Sequence, residues 1–184
     1  MYLLYDSILL EKIRQETRAA FQDDEVDMDY LWEQCPQLES VYKEILRVMN
    51  APIEAQTTMS DVCVGGKMLK ADTKVLMPYR QLHLDEDVFG SDTRHFKAIQ
   101  FLENRNLSRS PSLRPFGGGT TYCLGRFIVR WEAYLFVAVI IHHYEVALEG
   151  DSTFPRPDEE TPMGGIIAPV KGDEVLVCLT PLEW

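Results

Sequence analysis

The 184-residue chain is 46% apolar and 10% aromatic, which suits one globular domain with a buried core and excludes a disordered or fibrous polymer. Its net charge of −11, with acidic runs at Asp23-Asp24-Glu25 and Asp158-Glu159-Glu160, repels phosphate backbones and anionic bilayers and argues against nucleic acid as a partner. The longest apolar run, Tyr134 to Ile141, stops at His142-His143, far short of the roughly 20 residues a membrane-spanning helix needs, so the chain as given is expected to be soluble.

In chain order, Met1-Tyr2-Leu3-Leu4-Tyr5 enters apolar helical sequence with no polar lead-in, and a fragment or a mispredicted start is expected. Asp6 or Ser7 is placed to cap a first helix running to about Phe21, and an acidic loop separates it from a short segment begun by Asp29. Pro36 suits the first turn of a third helix, in which Leu38, Val41, Tyr42, Ile45, Leu46 and Met49 recur on one face before Asn50-Ala51-Pro52 ends it. From Thr57 to Met77 the pattern turns strand-like, with Val62-Cys63-Val64 and Val75-Leu76-Met77 on either side of a Gly65-Gly66 turn. Residues Leu84 to Gly119 read as a long ordered loop. Gly125 to Tyr144 is a strongly apolar helix, followed by a Pro-rich stretch and a last strand, Glu174 to Leu179.

Cys35, Cys63, Cys123 and Cys178 lie far apart, form no Cys-x-x-Cys pair and are read as reduced thiols. Three of them are expected to be small buried hydrophobes. Cys123 differs because Phe116-Gly117-Gly118-Gly119-Thr120-Thr121-Tyr122-Cys123-Leu124-Gly125 puts it at the end of a glycine-rich turn just before a helix. A helix N-terminus offers unpaired N–H groups and partial positive charge, which favour a thiolate and so a soft metal ligand. Glycines let the backbone turn tightly and approach a flat cofactor. With no second Cys or His nearby, a four-ligand zinc site is disfavoured, and a single thiolate is what a heme iron needs. An anion-binding turn is the other reading of the glycines, though the lysine and spacing of a phosphate-binding P-loop are missing.

At these residues the chain closely resembles the cytochrome P450 family, whose heme loop follows Phe-x-x-Gly-x-x-x-Cys-x-Gly; Phe116, Gly119, Cys123 and Gly125 all match. The resemblance implies heme b with Cys123 as the axial iron ligand, Phe116 packed beside the sulfur, and the helix from Gly125 running beneath the heme. Thr121 stands where many members carry an arginine for a heme propionate, a departure shared with a fungal subset and with sterol- and endoperoxide-processing branches. Arg114, two residues before Phe116, either supplies that charge or is a solvated loop residue.

The family's second signature is Glu-x-x-Arg on a helix, and Glu44-Ile45-Leu46-Arg47 sits in the expected place upstream of the cysteine. Periodicity alone assigns this pair to a wet face opposite the Leu38 to Met49 stripe, whereas the resemblance implies a buried structural ion pair, which is the expectation adopted. Glu11-Lys12-Ile13-Arg14 has the same spacing and serves as an internal reference, an ordinary exposed i, i+3 pair whose loss is expected to be nearly silent. The arginine-bearing segment that locks the family's pair is degenerate here, Ala98-Ile99-Gln100-Phe101, leaving Gln100, Arg94 or Arg105 as substitutes for the third charge. His83 precedes an acidic pair, as in the family, and is not read as an iron ligand; His95, His142 and His143 are read as surface or satisfied core residues.

The resemblance thus implies a mixed α+β, mainly α fold, with residues 1–184 forming the C-terminal heme-binding part of a larger domain. The implied activity is monooxygenation, inserting one oxygen atom into a small lipophilic substrate with electrons from a reductase. Ala51 to Thr57 and Met163 to Ile167 would enter the substrate pocket. The distal helix that delivers protons would lie upstream of Met1, as would any endoplasmic-reticulum anchor, so the isolated chain is expected to be inactive. A heme-thiolate isomerase or dehydratase of a peroxide, and a non-catalytic truncated gene product, are the alternatives.

Overall fold

Asp6 accepts a hydrogen bond from the Leu9 amide at 2.9 Å and starts α1 (Ser7–Thr17), whose Leu9, Leu10 and Ile13 are buried. The computed structural model of the chain describes residues 1–23, 25–150, 153–160 and 165–182. A 3₁₀ turn at Arg18–Ala20 leads into β1 (Phe21–Gln22), which pairs antiparallel with β2 (Glu25–Val26). Of the acidic run, Asp23 follows β1 and Glu25 begins β2; Asp24 lies outside the described residues. Asp27, not Asp29, caps α2 (Met28–Glu33), accepting from the Tyr30 amide; Asp29 lies in its first turn.

α3 (Pro36–Met49) starts without a cap from Cys35. Instead the Glu16 carboxylate, from α1, accepts the Gln37 and Leu38 amides at 2.9 Å each. A carboxylate suits the positive end of a helix, which offsets the burial that pushes the Glu16 pKa up.

β3 (Ile53–Thr57) leaves the end of α3, and β4 (Val62–Val64) pairs with β5 (Lys67–Leu69) across Gly65 and Gly66, both at positive φ. A two-residue turn fixes the residues that immediately flank it, so β5 takes the place expected for Val75-Leu76-Met77. Those residues belong to β6 (Lys74–Pro78), which pairs antiparallel with β3, Ile53 opposite Pro78. α4 (Arg80–His83) precedes the expected long loop, which holds two further short helices, α5 (Glu86–Phe89) and α6 (Gln100–Glu103), and a 3₁₀ turn at Arg105–Arg109. Phe89, Phe101 and Leu107 gather into a small apolar cluster that gives these turns their fixed path.

α7 (Arg126–His143) runs straight into β7 (Tyr144–Leu148), which pairs antiparallel with β8 (Val177–Pro181), a strand that starts later than the expected Glu174. Tyr134, Ala138 and Ile141 of α7 close the main core against Ile13, Leu31, Leu38 and Val41 of the first three helices. Burying each large side chain there contributes about 1.5–3 kcal/mol. Elsewhere along α7, Phe127, Ile128, Trp131 and Phe136 are exposed. Among the described residues no helix is long and apolar enough to cross a membrane. All four cysteines are free; Cys35 is buried as expected, whereas Cys63 and Cys178 are exposed because β4 and β8 lie in two-stranded ribbons with no layer packed over them.

Candidate functional site

Cys123 stands two residues ahead of the Gly125 that caps α7, with an exposed side chain. The turn before it is closed by its own amide, which donates to the Phe116 carbonyl at 3.1 Å. Gly117 and Gly119 adopt φ of +81° and +65°, a region closed to most side chains, whereas Gly118 is extended. The Arg114 side chain lies along Gly118, where a Cβ would stand 3.6 Å from its Cδ. On the other side Arg126 donates to the Cys123 carbonyl at 2.8 Å, with its guanidinium over the Phe127 and Tyr122 rings. The loop thus carries Phe116, Gly119 and Gly125 along with Cys123: a Cβ on Gly125 would stand 3.8 Å from the Cys123 thiol sulfur, Arg114 lies against Gly118, and a Cβ on Gly119 would meet open space.

That thiol opens on a cleft of about 280 Å³ lined by Pro52, Ile53, Glu54, Tyr79, Pro115, Phe116 and Gly117. Tyr79 donates its hydroxyl to Glu54, which raises the Tyr79 pKa, and a Cβ on Gly117 would come 3.3 Å from the same Glu54 carboxylate. Neither residue carries a motif that would have selected it from sequence.

The approach to the loop is fixed by two residues that sequence reasoning left unassigned. His83 is fully buried, and its Nε2 accepts the Arg114 amide at 3.0 Å while its Nδ1 faces the Asn50 carbonyl at 3.3 Å. An amide only donates and a carbonyl only accepts, so Nδ1 carries the proton and the ring is neutral. Burial, with the Arg47 and Arg80 charges adding to it, pushes the His83 pKa down to about 4. The Asn50 side chain donates to the Pro115 carbonyl at 2.7 Å. An Asn at the end of α3 beside Ala51-Pro52 was the one sequence signal for this contact.

Glu44 and Arg47 are both fully buried and joined by two hydrogen bonds of 2.8 and 2.6 Å. The remaining donors of Arg47 go to the carbonyls of His83, Thr93 and His95, and Glu44 accepts the Lys97 amide at 2.9 Å. Backbone groups thus surround the pair where a third charge was sought. Gln100 turns away to the Phe89 carbonyl, and its Oε1 is buried with no partner among the described residues. Arg94 pairs with Glu159 and Arg105 is exposed, so neither substitutes. The wet face assigned by periodicity is wrong for a physical reason: the polar side of α3 packs on the irregular segment after α4, whose carbonyls and amides need polar partners.

The reference pair also departs from expectation. Arg14 does pair with Glu11 at 3.1 Å, but its Nε donates to the Ile141 carbonyl at 3.0 Å and its Nη2 meets Glu145 at 2.8 Å. It ties α1 to the junction of α7 and β7 and is not a purely solvated residue. Of the segments expected to line a substrate pocket, 165–167 returns beside the end of α3, Ile167 donating to the Met49 carbonyl and Ala51 to that of Gly165. Met163 and Gly164 lie outside the described residues.

The donor set fits a heme: one exposed thiol, a turn of glycines carrying no side chains, and apolar Pro52, Ile53 and Phe116 about the cleft. The fold resembles that of a solved structure described as retinoic acid bound cyanobacterial CYP120A1, at 24% identity and a TM-score of 0.77 over 98% of this chain and 40% of that one. A cytochrome P450 monooxygenase of Gibberella zeae is 31% identical over 95% of this chain and 37% of its own length. A bifunctional cytochrome P450/NADPH–P450 reductase of Alternaria alternata is 29% identical over 79% of this chain and 13% of its own. The chain thus spans well under half the length of these relatives. Heme held by a cysteine thiolate is the cofactor of P450 proteins in general. Since the cytochrome P450 family model matches residues 1–177, nearly the whole of the fold that presents Cys123, the chain belongs to the cytochrome P450 family.

Proposed function

We propose that residues 1–184 form the C-terminal heme-binding part of a monooxygenase, with Cys123 as the axial iron ligand. The observation that carries this reading is the exposed Cys123 thiol at the mouth of α7, beside a glycine turn and an apolar cleft. Bound there, a heme would supply oxygen activation, which a strongly donating thiolate favours. Cys123 holds the iron, Phe116 and Ile53 exclude water beside it, and Gly117 and Gly119 allow the macrocycle close to the backbone. Arg114 offers a guanidinium to a propionate. Glu44 and Arg47 hold the segments that carry the loop. The exposed Ile53 and Ile166 support a lipophilic substrate. The reductase fusion among the relatives supports a flavoprotein reductase as electron donor. An endoplasmic-reticulum anchor and dependence on further residues for turnover belong to the same proposal, so the 184 residues alone are expected to give no substrate-dependent turnover. Thr121 keeps the isomerase or dehydratase reading open, and a requirement for reductase and oxygen decides between the two.

The test is spectroscopic. The chain loaded with hemin, reduced and exposed to CO is expected to show a thiolate-type absorption that Cys123→Ser abolishes and that Cys35→Ser, Cys63→Ser and Cys178→Ser preserve. A thiolate spectrum that survives Cys123→Ser refutes the assignment.

A further inference from the structure

Between the end of α3 and the cysteine turn lies a buried two-residue bridge, Asn50 and His83. We infer that His83 and Asn50 form a clamp that sets the position of the Cys123 turn, with His83 as a positioning residue. The inference rests on the reading of Cys123 as the heme ligand. His83 spans from the Asn50 carbonyl to the Arg114 amide, and the Asn50 side chain reaches the next carbonyl along, that of Pro115. The following residue, Phe116, accepts the amide of Cys123 itself. Two consecutive loop residues are thus fastened to the end of a helix, and the third is fastened to the cysteine.

Only one state of the ring satisfies both contacts. Nδ1 must donate to a carbonyl and Nε2 must stay bare to accept an amide, so the neutral Nδ1–H tautomer is required. Leucine fills a similar volume with no acceptor and would leave the buried Arg114 amide unpaired. Glutamine offers both an oxygen to accept and an N–H to donate. A space-filling role for His83 predicts that leucine is the better replacement, whereas a clamp predicts glutamine.

The experiment is hydrogen exchange, read by mass spectrometry, on the wild-type chain and on His83→Leu, His83→Gln and Asn50→Ala. In His83→Leu, exchange in peptides covering 113–124 is expected to quicken roughly fivefold, the equivalent of one lost hydrogen bond, while peptides from 38–48 of α3 keep their wild-type rates. Asn50→Ala is expected to quicken the same peptides, and His83→Gln to restore wild-type exchange. In parallel, hemin affinity and the thiolate-type CO spectrum should weaken in the leucine variant and recover in the glutamine one. Unchanged exchange at 113–124 in His83→Leu, a glutamine variant no better than the leucine one, or uniform quickening that includes α3 in both the His83 and the Asn50 variants overturns the inference. A wild-type chain that takes up no heme refutes the proposed function instead, and the exchange measurements still decide the clamp.

Discussion

Replacing Arg47 with alanine removes five hydrogen bonds made by one fully buried guanidinium. Among the described residues Glu44 keeps one hydrogen bond, from the Lys97 amide, and the carbonyls of His83, Thr93 and His95 lose a donor in the same step. Truncating one partner of a buried ion pair costs about 3–5 kcal/mol, a loss that includes the groups left without their partner. The degenerate Gln100 segment, taken alone, points to the lower end of that range. Because backbone groups and not Gln100 complete the network, the upper end, about 5 kcal/mol, is expected. Domains of this size are stable by roughly 5–15 kcal/mol in all, so Arg47→Ala should lose about a third of the total or more. Urea unfolding followed by far-UV circular dichroism measures the loss. Arg47→Lys should fall between, since an ammonium keeps the charge without the planar fork. Arg14→Ala is the comparison: it forfeits three contacts that bridge elements, to Ile141, Tyr144 and Glu145, and should cost about 1–2 kcal/mol. Lys70→Ala, which breaks an exposed pair with Asp61, should leave the curve unchanged. A loss at Arg47 no greater than that at Arg14 would refute the reasoning.

Two other outcomes follow from the loop. Gly119→Ala is expected to destabilise by about 1–2 kcal/mol, because its φ of +65° is closed to alanine although no atom lies near the added Cβ. Gly118→Ala, extended and meeting only ordinary contacts, should be nearly neutral, and thermal melts of the two variants check the difference. The buried neutral His83 sets a pH dependence with a definite sign. Its pKa is about 4 in the fold against an ordinary 6.5, so the unfolded chain takes up the proton first as pH falls. Its contribution to stability is full above pH 6.5, is lost as pH falls from 6.5 to about 4, and is constant below. The loss amounts to at most about 3 kcal/mol, and the difference between wild type and His83→Gln in urea unfolding across that window should show it. Wild-type stability that falls relative to His83→Gln as pH rises from about 4 to 6.5 contradicts the assignment.

The cysteine turn was legible in the sequence, because Phe116, the glycines, Cys123 and Gly125 are local and their spacing is what resembles the family's heme loop. The sequence by itself determined α1, α3 and α7 for the same reason, since capping and helical periodicity act within a few residues. It misassigned β6, because a Gly65-Gly66 turn specifies only its nearest neighbours and the partner of Val75-Leu76-Met77 lies back at Ile53–Thr57. Periodicity also took the Glu44 and Arg47 face for a wet one. Hydrophobic pattern registers where water is excluded by apolar neighbours, and it is blind to a polar face covered by the carbonyls of a distant irregular segment. The same blindness hid Glu16 at the start of α3, Arg14 at the end of α7, and the bridge from Asn50 through His83 to Arg114. Each joins residues far apart in the chain through backbone groups that every residue possesses, so no residue pattern announces the contact and only the tertiary structure decides it.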